Sequence, residues 1–447
     1  MAEAIDELRE TLTGDVLEPS DRDYERARLS FNLLIDRRPA AIARCVDAGD
    51  VATALAFAQS NGFEIAVRGG GHNPAGHCAV DDGLVIDLSR MRNVEVDPGR
   101  RIAISEGGAT WLDFDAATQE HGMVTPGGVV GSTGVTGLAL GGGIGHLTAQ
   151  HGLTCDNLIA AEVVTPAGDV VRAGEDGDPE LLWGLRGGGG NFGVATRAEF
   201  RLHPVERVVG GRLRYEGEAV RDALRAFRDV DGRAGNDFAC QAQLVMGESM
   251  EPGFVVLPCW TGKGSEPKEL EALRSAPGLA DDTVHERSFL EQQKEFDPPY
   301  GVDRNYWKGH FVRELPDELI DTLVESLTAL GRPPGEILFE SLRGAPKNVE
   351  PDSAALGYRD AAFNVSVMAN WTDPAHDDEG IAWARETAAA IEPWSVSGGY
   401  ANYMQADEPL DRVRAAYGPD NFARLQALKS RYDPENVLHR NQNIPPG

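Results

Sequence analysis

A chain of 447 residues, 41 % hydrophobic, with 15 Phe, 9 Tyr and 7 Trp, carries apolar material for two or three cores, which excludes a disordered chain. Its formal net charge of −29, from 71 Asp and Glu against 42 Lys and Arg, excludes nucleic acid as a partner, because phosphates demand cationic surface. Only six of those cations are lysines, and such a lysine-poor acidic balance points to a halophilic protein, whose self-repulsion is relieved by salt.

The N-terminal MAEAIDELRETLTGDV is charged and helical in pattern, without a basic-then-apolar leader. No run of about 18 apolar residues follows anywhere, so no membrane span is expected and the chain reads as cytoplasmic. Residues 50–62 (DVATALAFAQSNG) have helical apolar spacing with Gly62 as the stop. FEIAVRGGG is a short strand running into a glycine turn, and GLVIDLS (83–89) and RIAISEGG (101–108) are strand-like. Residues 109–122 read as a helix, and 157–174 as a strand, a Pro-Ala-Gly-Asp turn and a returning strand. LHPVE (202–206) breaks this alternation. The part that follows is strand-rich, with strands expected in RVVGGRLRYEG, FACQAQLVMGES, GFVVLPCWTG, EILFESLRG and FNVSVMANW, and helices in SEPKELEALRSA and PDELIDTLVESLTAL. That composition predicts an antiparallel sheet covered on one face by helices. Cys45, Cys78, Cys155, Cys240 and Cys259 are odd in number and lack a CxxC pair, so buried free thiols are expected rather than disulfides or a metal site.

Two segments carry chemistry in their backbone. AVRGGGHNPAG (66–76) places three glycines before His72, and TPGGVVGSTGVTGLALGGGIGHL (125–147) holds nine glycines threaded with Val, Leu and Ile. Neither has the Lys-Ser or Lys-Thr of a P-loop, which weighs against an ATP-using transferase, and neither fits a GxGxxG dinucleotide fingerprint. Both expose runs of unobstructed backbone N–H suited to a diphosphate, and the longer one also suits a flat ring. A dinucleotide with a large planar head, FAD, would use both. A non-catalytic protein that keeps the fold for binding alone is the remaining alternative.

Residues 68–76 resemble the flavin-attachment loop of the vanillyl-alcohol oxidase and p-cresol methylhydroxylase flavoprotein superfamily, and GLVIDLSRM resembles the strand after it. The stretch from Thr125 through CDNL resembles the second flavin-binding segment, and LLWGLRGGGGNFGVAT (181–196) the closing stretch of the FAD domain. YANY (400–403) and RYDPENVLHRNQNIPP resemble a berberine-bridge-like C-terminal element. The resemblance implies a two-domain α+β flavoprotein: an FAD-binding domain over 1–205, a substrate domain over 206–399, and a segment 400–447 returning to the FAD domain. It implies FAD bonded covalently through His72, with Gly69, Gly70 and Gly71 cradling the diphosphate and Arg68, Asn73 and Gly76 around them. In the second segment it implies Gly127, Gly128, Ser132, Thr133, Gly137, Gly142 and Gly143, followed by Asn157 and Val163. Asn402, Asn441 and Asn443, with Gln442, are expected at the flavin edge. Some members carry a second tether from a cysteine; Val130 stands at that position, so a single tether is expected.

The implied reaction is hydride transfer from a small alcohol, sugar or amine to FAD, which oxygen then reoxidises to give hydrogen peroxide; a dehydrogenase with another acceptor is the alternative. Such oxidation uses a base for an O–H or N–H proton. Tyr400 falls at the superfamily's tyrosine position, with Asn402 two residues on and thus on the same side if the segment is a strand. NYWKGHF offers Tyr306 and Lys308 on one strand face, where Lys308 would depress a phenol pKa or balance negative charge. Glu340 and Arg359 are weaker candidates on or near neighbouring strands, and His77 is expected to be structural or exposed.

Overall fold

A computed structural model describes residues 2–247, 251–329, 335–350, 352–396 and 398–447. Residues 248–249 and 330, at the ends of two expected elements, lie outside it. Residues 15–201 form two sheets. In the first, Asp15–Leu17, Ala41–Arg44, Leu84–Asp87 and Ile65–Arg68 stand in that order, the last three mutually parallel. The helix Ala48–Asn61 connects two of them and buries Val51, Ala54, Leu55 and Ala58. Asp47 caps its start by accepting the Asp50 N–H, and Gly62, at φ 70°, ends it in the left-handed region that glycine adopts freely. Leu84–Asp87 is buried at every residue, as a strand covered on both faces must be. The second sheet is antiparallel, in the order Val94–Asp97, Ile102–Glu106, Val194–Arg201, Leu158–Val164 and Val170–Gly174.

From Arg207 to Trp371, nine strands form one sheet in which every pairing is antiparallel. Four helices cover one face: Val220–Asp231, Lys268–Arg274, Asp317–Ala329 and Asp377–Ile391. Only the second and third are marked by the sequence pattern. The other two hide sparse apolar residues among charges: Val220, Leu224 and Phe227 in one, Trp383, Ala384 and Ile391 in the other, all packed into the core under the sheet. Strand alternation sorts the sheet's residues. Ile337, Phe339, Val365, Val367 and Ala369 face the helices. Glu336, Leu338, Glu340, Met368 and Asn370, joined by Gln243, Asn305 and Trp307, face the other way.

The C-terminal helices Leu410–Tyr417 and Pro419–Tyr432 return to the first half. Val413, Tyr417, Phe422, Leu425 and Leu428 share a core with Trp111, Phe114, Leu181, Trp183 and Phe200. A fully buried ion pair, Lys429 to Asp433 at 2.7 Å, closes this contact. Lys429 Nζ also donates to the carbonyls of Asn191 and Leu438, so the buried charge is satisfied and the following tail is pinned. All five cysteines are buried free thiols. Among the described residues no helix is long and apolar enough to cross a membrane.

Candidate active site

A cavity of ≈ 570 Å³ lies between the uncovered face of the nine-stranded sheet and the glycine loops of the first half. Residues 69–73, parts of 128–141 and 187–195, and the tail residues 438 and 440–442 wall it opposite the sheet. The two glycine loops meet backbone to backbone. A Cβ on Gly134 would lie 2.6 Å from the Gly70 amide nitrogen, and a Cβ on Gly70 would strike Gly134 in turn. Only a residue without a side chain fits at either position. At Gly137 and Gly190 a Cβ would meet nothing within 4 Å, so these two face open cavity.

His72 lines this space. Its ring stacks on Phe31 at 4.4 Å and meets the edge of Tyr300 at 5.3 Å. Nε2 lies 2.8 Å from Ser132 Oγ, so Ser132, on the second glycine loop, fixes the orientation of the ring. Burial lowers the imidazole pKa to about 4, and the ring is neutral at ordinary pH. Val130 lines the same cavity.

Of the other residues singled out from the sequence, Gly69, Gly70, Gly71, Asn73, Gly128, Thr133, Gly137, Asn402 and Asn441 are in the cavity wall. Several are not. Arg68 is turned inward, donating to the carbonyls of Ala27 and Arg28, and holds the N-terminal segment. Gly76, at φ 69°, serves a turn packed on Ile35, and Gly127 lies against the Trp111 ring. Gly142 and Gly143, at φ 121° and 85°, turn the chain under the wall against Tyr358 and Thr154. Asn157 donates to the carbonyls of His151 and Leu153, and Val163 is core. Asn443 stands outside the wall, while its neighbour Gln442 is in it. His77, expected to be structural or exposed, is in the wall, with its Nε2 buried and without a hydrogen-bond partner.

The catalytic candidates are rearranged. Tyr400 is not on a strand; it precedes the 3-10 turn Ala401–Tyr403. It is 1 % exposed, and its hydroxyl accepts from the Gly143 N–H and from Asn402 Nδ2, both at 2.9 Å. Burial pushes its phenol well above the ordinary value, so it is support beneath the wall. Tyr306 and Lys308 do share a strand face, but the wrong one. Their strand, Arg304–Val312, turns Asn305 and Trp307 to the cavity. On the far side Tyr306 donates to Asp407 at 2.8 Å and Lys308 to Glu408 at 2.6 Å. Arg359 pairs with Asp156.

The residues that do converge are Tyr403 and Glu340. Tyr403 lines the cavity, and its hydroxyl donates to Glu340 Oε1 at 3.2 Å. Glu340 Oε2 accepts from Asn364 Nδ2 at 2.6 Å. Burial raises the Glu340 carboxyl to about 7, against the two hydrogen bonds that favour its charged form. Glu336, on the same face of the strand Gly335–Ser341, is likewise raised to about 7 by burial. The motif E-I-L-F-E carries the signal: two acids four apart, with Ile and Phe between them at core-facing positions, share one strand face.

The wall chemistry fits an FAD. Gly69, Gly70 and Gly71 line the wall, Gly137 leaves it open, and buried polar atoms at His77 Nε2, Arg440 Nε and Asn441 Oδ1 lack partners, as groups that meet a polar ligand do. Residues 39–174 match the FAD binding domain family, and residues 399–445 match berberine and berberine like. An uncharacterized FAD-linked oxidoreductase of Bacillus subtilis is 30% identical over 97% of both chains. The (R)-6-hydroxynicotine oxidase of Paenarthrobacter nicotinovorans is 30% identical, covering 98% of this chain and 97% of the relative. The crystal structure of 6-hydroxy-D-nicotine oxidase from Arthrobacter nicotinovorans superposes with a TM-score of 0.87 at 28% identity, covering 98% of this chain and 99% of that one.

Proposed function

Because this chain belongs to the FAD-linked oxidoreductases with a berberine-like C-terminal segment, we propose that it oxidises a small molecule at the Glu340–Tyr403 end of the cavity, with FAD tethered to His72 and oxygen as the final acceptor. In this reading residues 1–205 bind FAD, 206–399 build the substrate wall and 400–447 return to close the site. Bound FAD supplies a two-electron acceptor for a hydride leaving a substrate carbon.

The chain's own residues do the rest. A neutral imidazole has a free lone pair, and burial keeps His72 neutral. Ser132 occupies Nε2, which leaves Nδ1 for the single covalent bond. The carboxylate of Glu340 takes the proton from the substrate O–H or N–H, directly or through the Tyr403 hydroxyl. Asn364 holds that carboxyl in place from within the sheet. Trp307, Phe296 and Pro298 give the wall apolar surface that limits water.

The observation that carries this reading is that one cavity is lined by an orientated neutral histidine on a glycine loop and by an acid on the sheet hydrogen-bonded to a phenol of the C-terminal segment. Acid precipitation tests the tether: a yellow pellet, with the flavin on the peptide containing His72, supports it, and a colourless pellet overturns it. Peroxide release under air during substrate turnover tests the acceptor. The net charge of −29 and the five buried thiols support a cytoplasmic protein working at high salt. Its Tm is expected to climb from dilute buffer to 1 M KCl, where the screening length falls to about 3 Å; a flat profile in differential scanning fluorimetry would refute this.

A further inference from the structure

The substrate end of the cavity is unbalanced in charge. Glu336 and Glu340 both face it from one strand, about 13 Å apart along the backbone by the usual rise per residue. Glu340 is taken up by Tyr403 and Asn364. Among the described residues Glu336 has no such hydrogen-bond partner, and burial alone raises its carboxyl. Of the remaining polar sheet-side groups, Gln243, Asn305 and Asn370 are neutral, and Asp303, just before the strand that carries Asn305, is a third acid. Among the described residues in the wall the one Lys or Arg is Arg440, on the C-terminal tail, where Glu64 already holds it at 2.8 Å. In the same row of the sheet as Glu336, across Met368 of the strand between them, stands Trp307, its Nε1 buried and without a hydrogen-bond partner and its ring set edge-on to Tyr403 at 5.4 Å.

A carboxylate withdrawn from water without a counter-ion is costly, and the group that offsets the cost is a cation. A sugar or an alcohol offers hydroxyls to Glu336 but no charge. An organic ammonium offers both N–H donors and charge, and it gains further from the face of an indole. We infer that Glu336 is the anchor for a protonated amine on the substrate, with Trp307 as its aromatic neighbour, so that the enzyme selects organic ammonium ions over neutral alcohols and sugars of like size. The inference rests on the cavity being the substrate site of an FAD-linked oxidase. It concerns recognition alone, and Glu340 keeps its separate role.

The test is calorimetric titration of the purified holoenzyme at pH 8 with benzylammonium, benzyl alcohol and D-glucose. Benzylammonium should bind at least ten-fold more tightly than either neutral probe. Glu336→Gln should erase that preference and leave benzyl alcohol within two-fold of the parent, while Glu336→Asp, which keeps the charge, should retain part of it. The flavin absorption spectrum of each variant reports folding and loading. Equal or tighter binding of benzyl alcohol or glucose overturns the inference, as does an ammonium preference that survives Glu336→Gln. A protein that purifies without flavin counts against the oxidase reading instead, and the same ranking of probes still decides the cation.

Discussion

The glycine loops and the open sheet face meet across one cavity, yet they encode their contributions in opposite ways. The loops work through what they lack. Gly70 and Gly134 touch because neither has a Cβ, and Gly137 and Gly190 leave space that any other residue would occupy. The sheet works through which side chains its pleat selects. Glu336, Leu338 and Glu340 reach the cavity, while Ile337 and Phe339 between them are core. Both depend on register: a shift of one residue would press Thr133 or Val135 against Gly70, and in the sheet it would exchange the two faces.

The comparison can be broken most sharply at His72. His72→Ala should lose all acid-stable flavin, an all-or-none change in the intact-protein mass; retention of the tether in that variant would move the attachment elsewhere. Next comes the sheet. Glu340→Gln should slow flavin reduction by the usual general-base factor of roughly 10² to 10⁴. The base form of Glu340 is the carboxylate and its pKa lies near about 7. Turnover should therefore rise as pH increases through that value, and the inflection should vanish in Glu340→Gln. A parent profile flat from pH 5 to 9 would remove Glu340 from the role.

Smaller effects separate wall from support. Gly70→Ala puts a methyl into the Gly134 backbone and should cost about 1–3 kcal/mol, the range of an overpacked core. Urea melts would show it, together with reduced flavin loading. If Gly70→Ala is neutral, the contact between the loops is looser than drawn. Smallest of all, Tyr400→Phe removes the acceptor for the buried Gly143 N–H and should cost about 1 kcal/mol. Its rate of flavin reduction should stay within about three-fold of the parent, far below a general-base effect, and a loss of a hundred-fold would restore Tyr400 to the chemistry.

The two regions also differ in how far they could be read in advance. His72, Gly69 to Gly71 and the second glycine loop were legible because dense glycine is rare and has few physical uses. The antiparallel sheet and two of its four covering helices were legible from the sequence. Which strand face meets the cavity was not. In NYWKGHF, Tyr306 and Lys308 are the more reactive residues, yet the pleat sends Asn305 and Trp307 to the cavity and leaves the other two to Asp407 and Glu408. The same ambiguity hid Tyr403: a strand at YANY pairs Tyr400 with Asn402, whereas the 3-10 turn delivers Tyr403 to the wall. Arg68 was misplaced for another reason. A cation beside three glycines looks like an anion ligand until its two carbonyl partners are seen.

The buried Lys429–Asp433 pair fixes the tail residues that join a loop made near the start of the chain in walling the cavity opposite the sheet. On a ribosome these two parts of the wall emerge far apart in time. At roughly 5–20 residues per second the interval between residues 69–73 and 438–442 is on the order of tens of seconds. Throughout it the glycine loops exist without the surface that closes over them. In the proposed reading the pocket for the dinucleotide is therefore complete only after residues 438–442 have been made, and the tail acts as the latch that completes it.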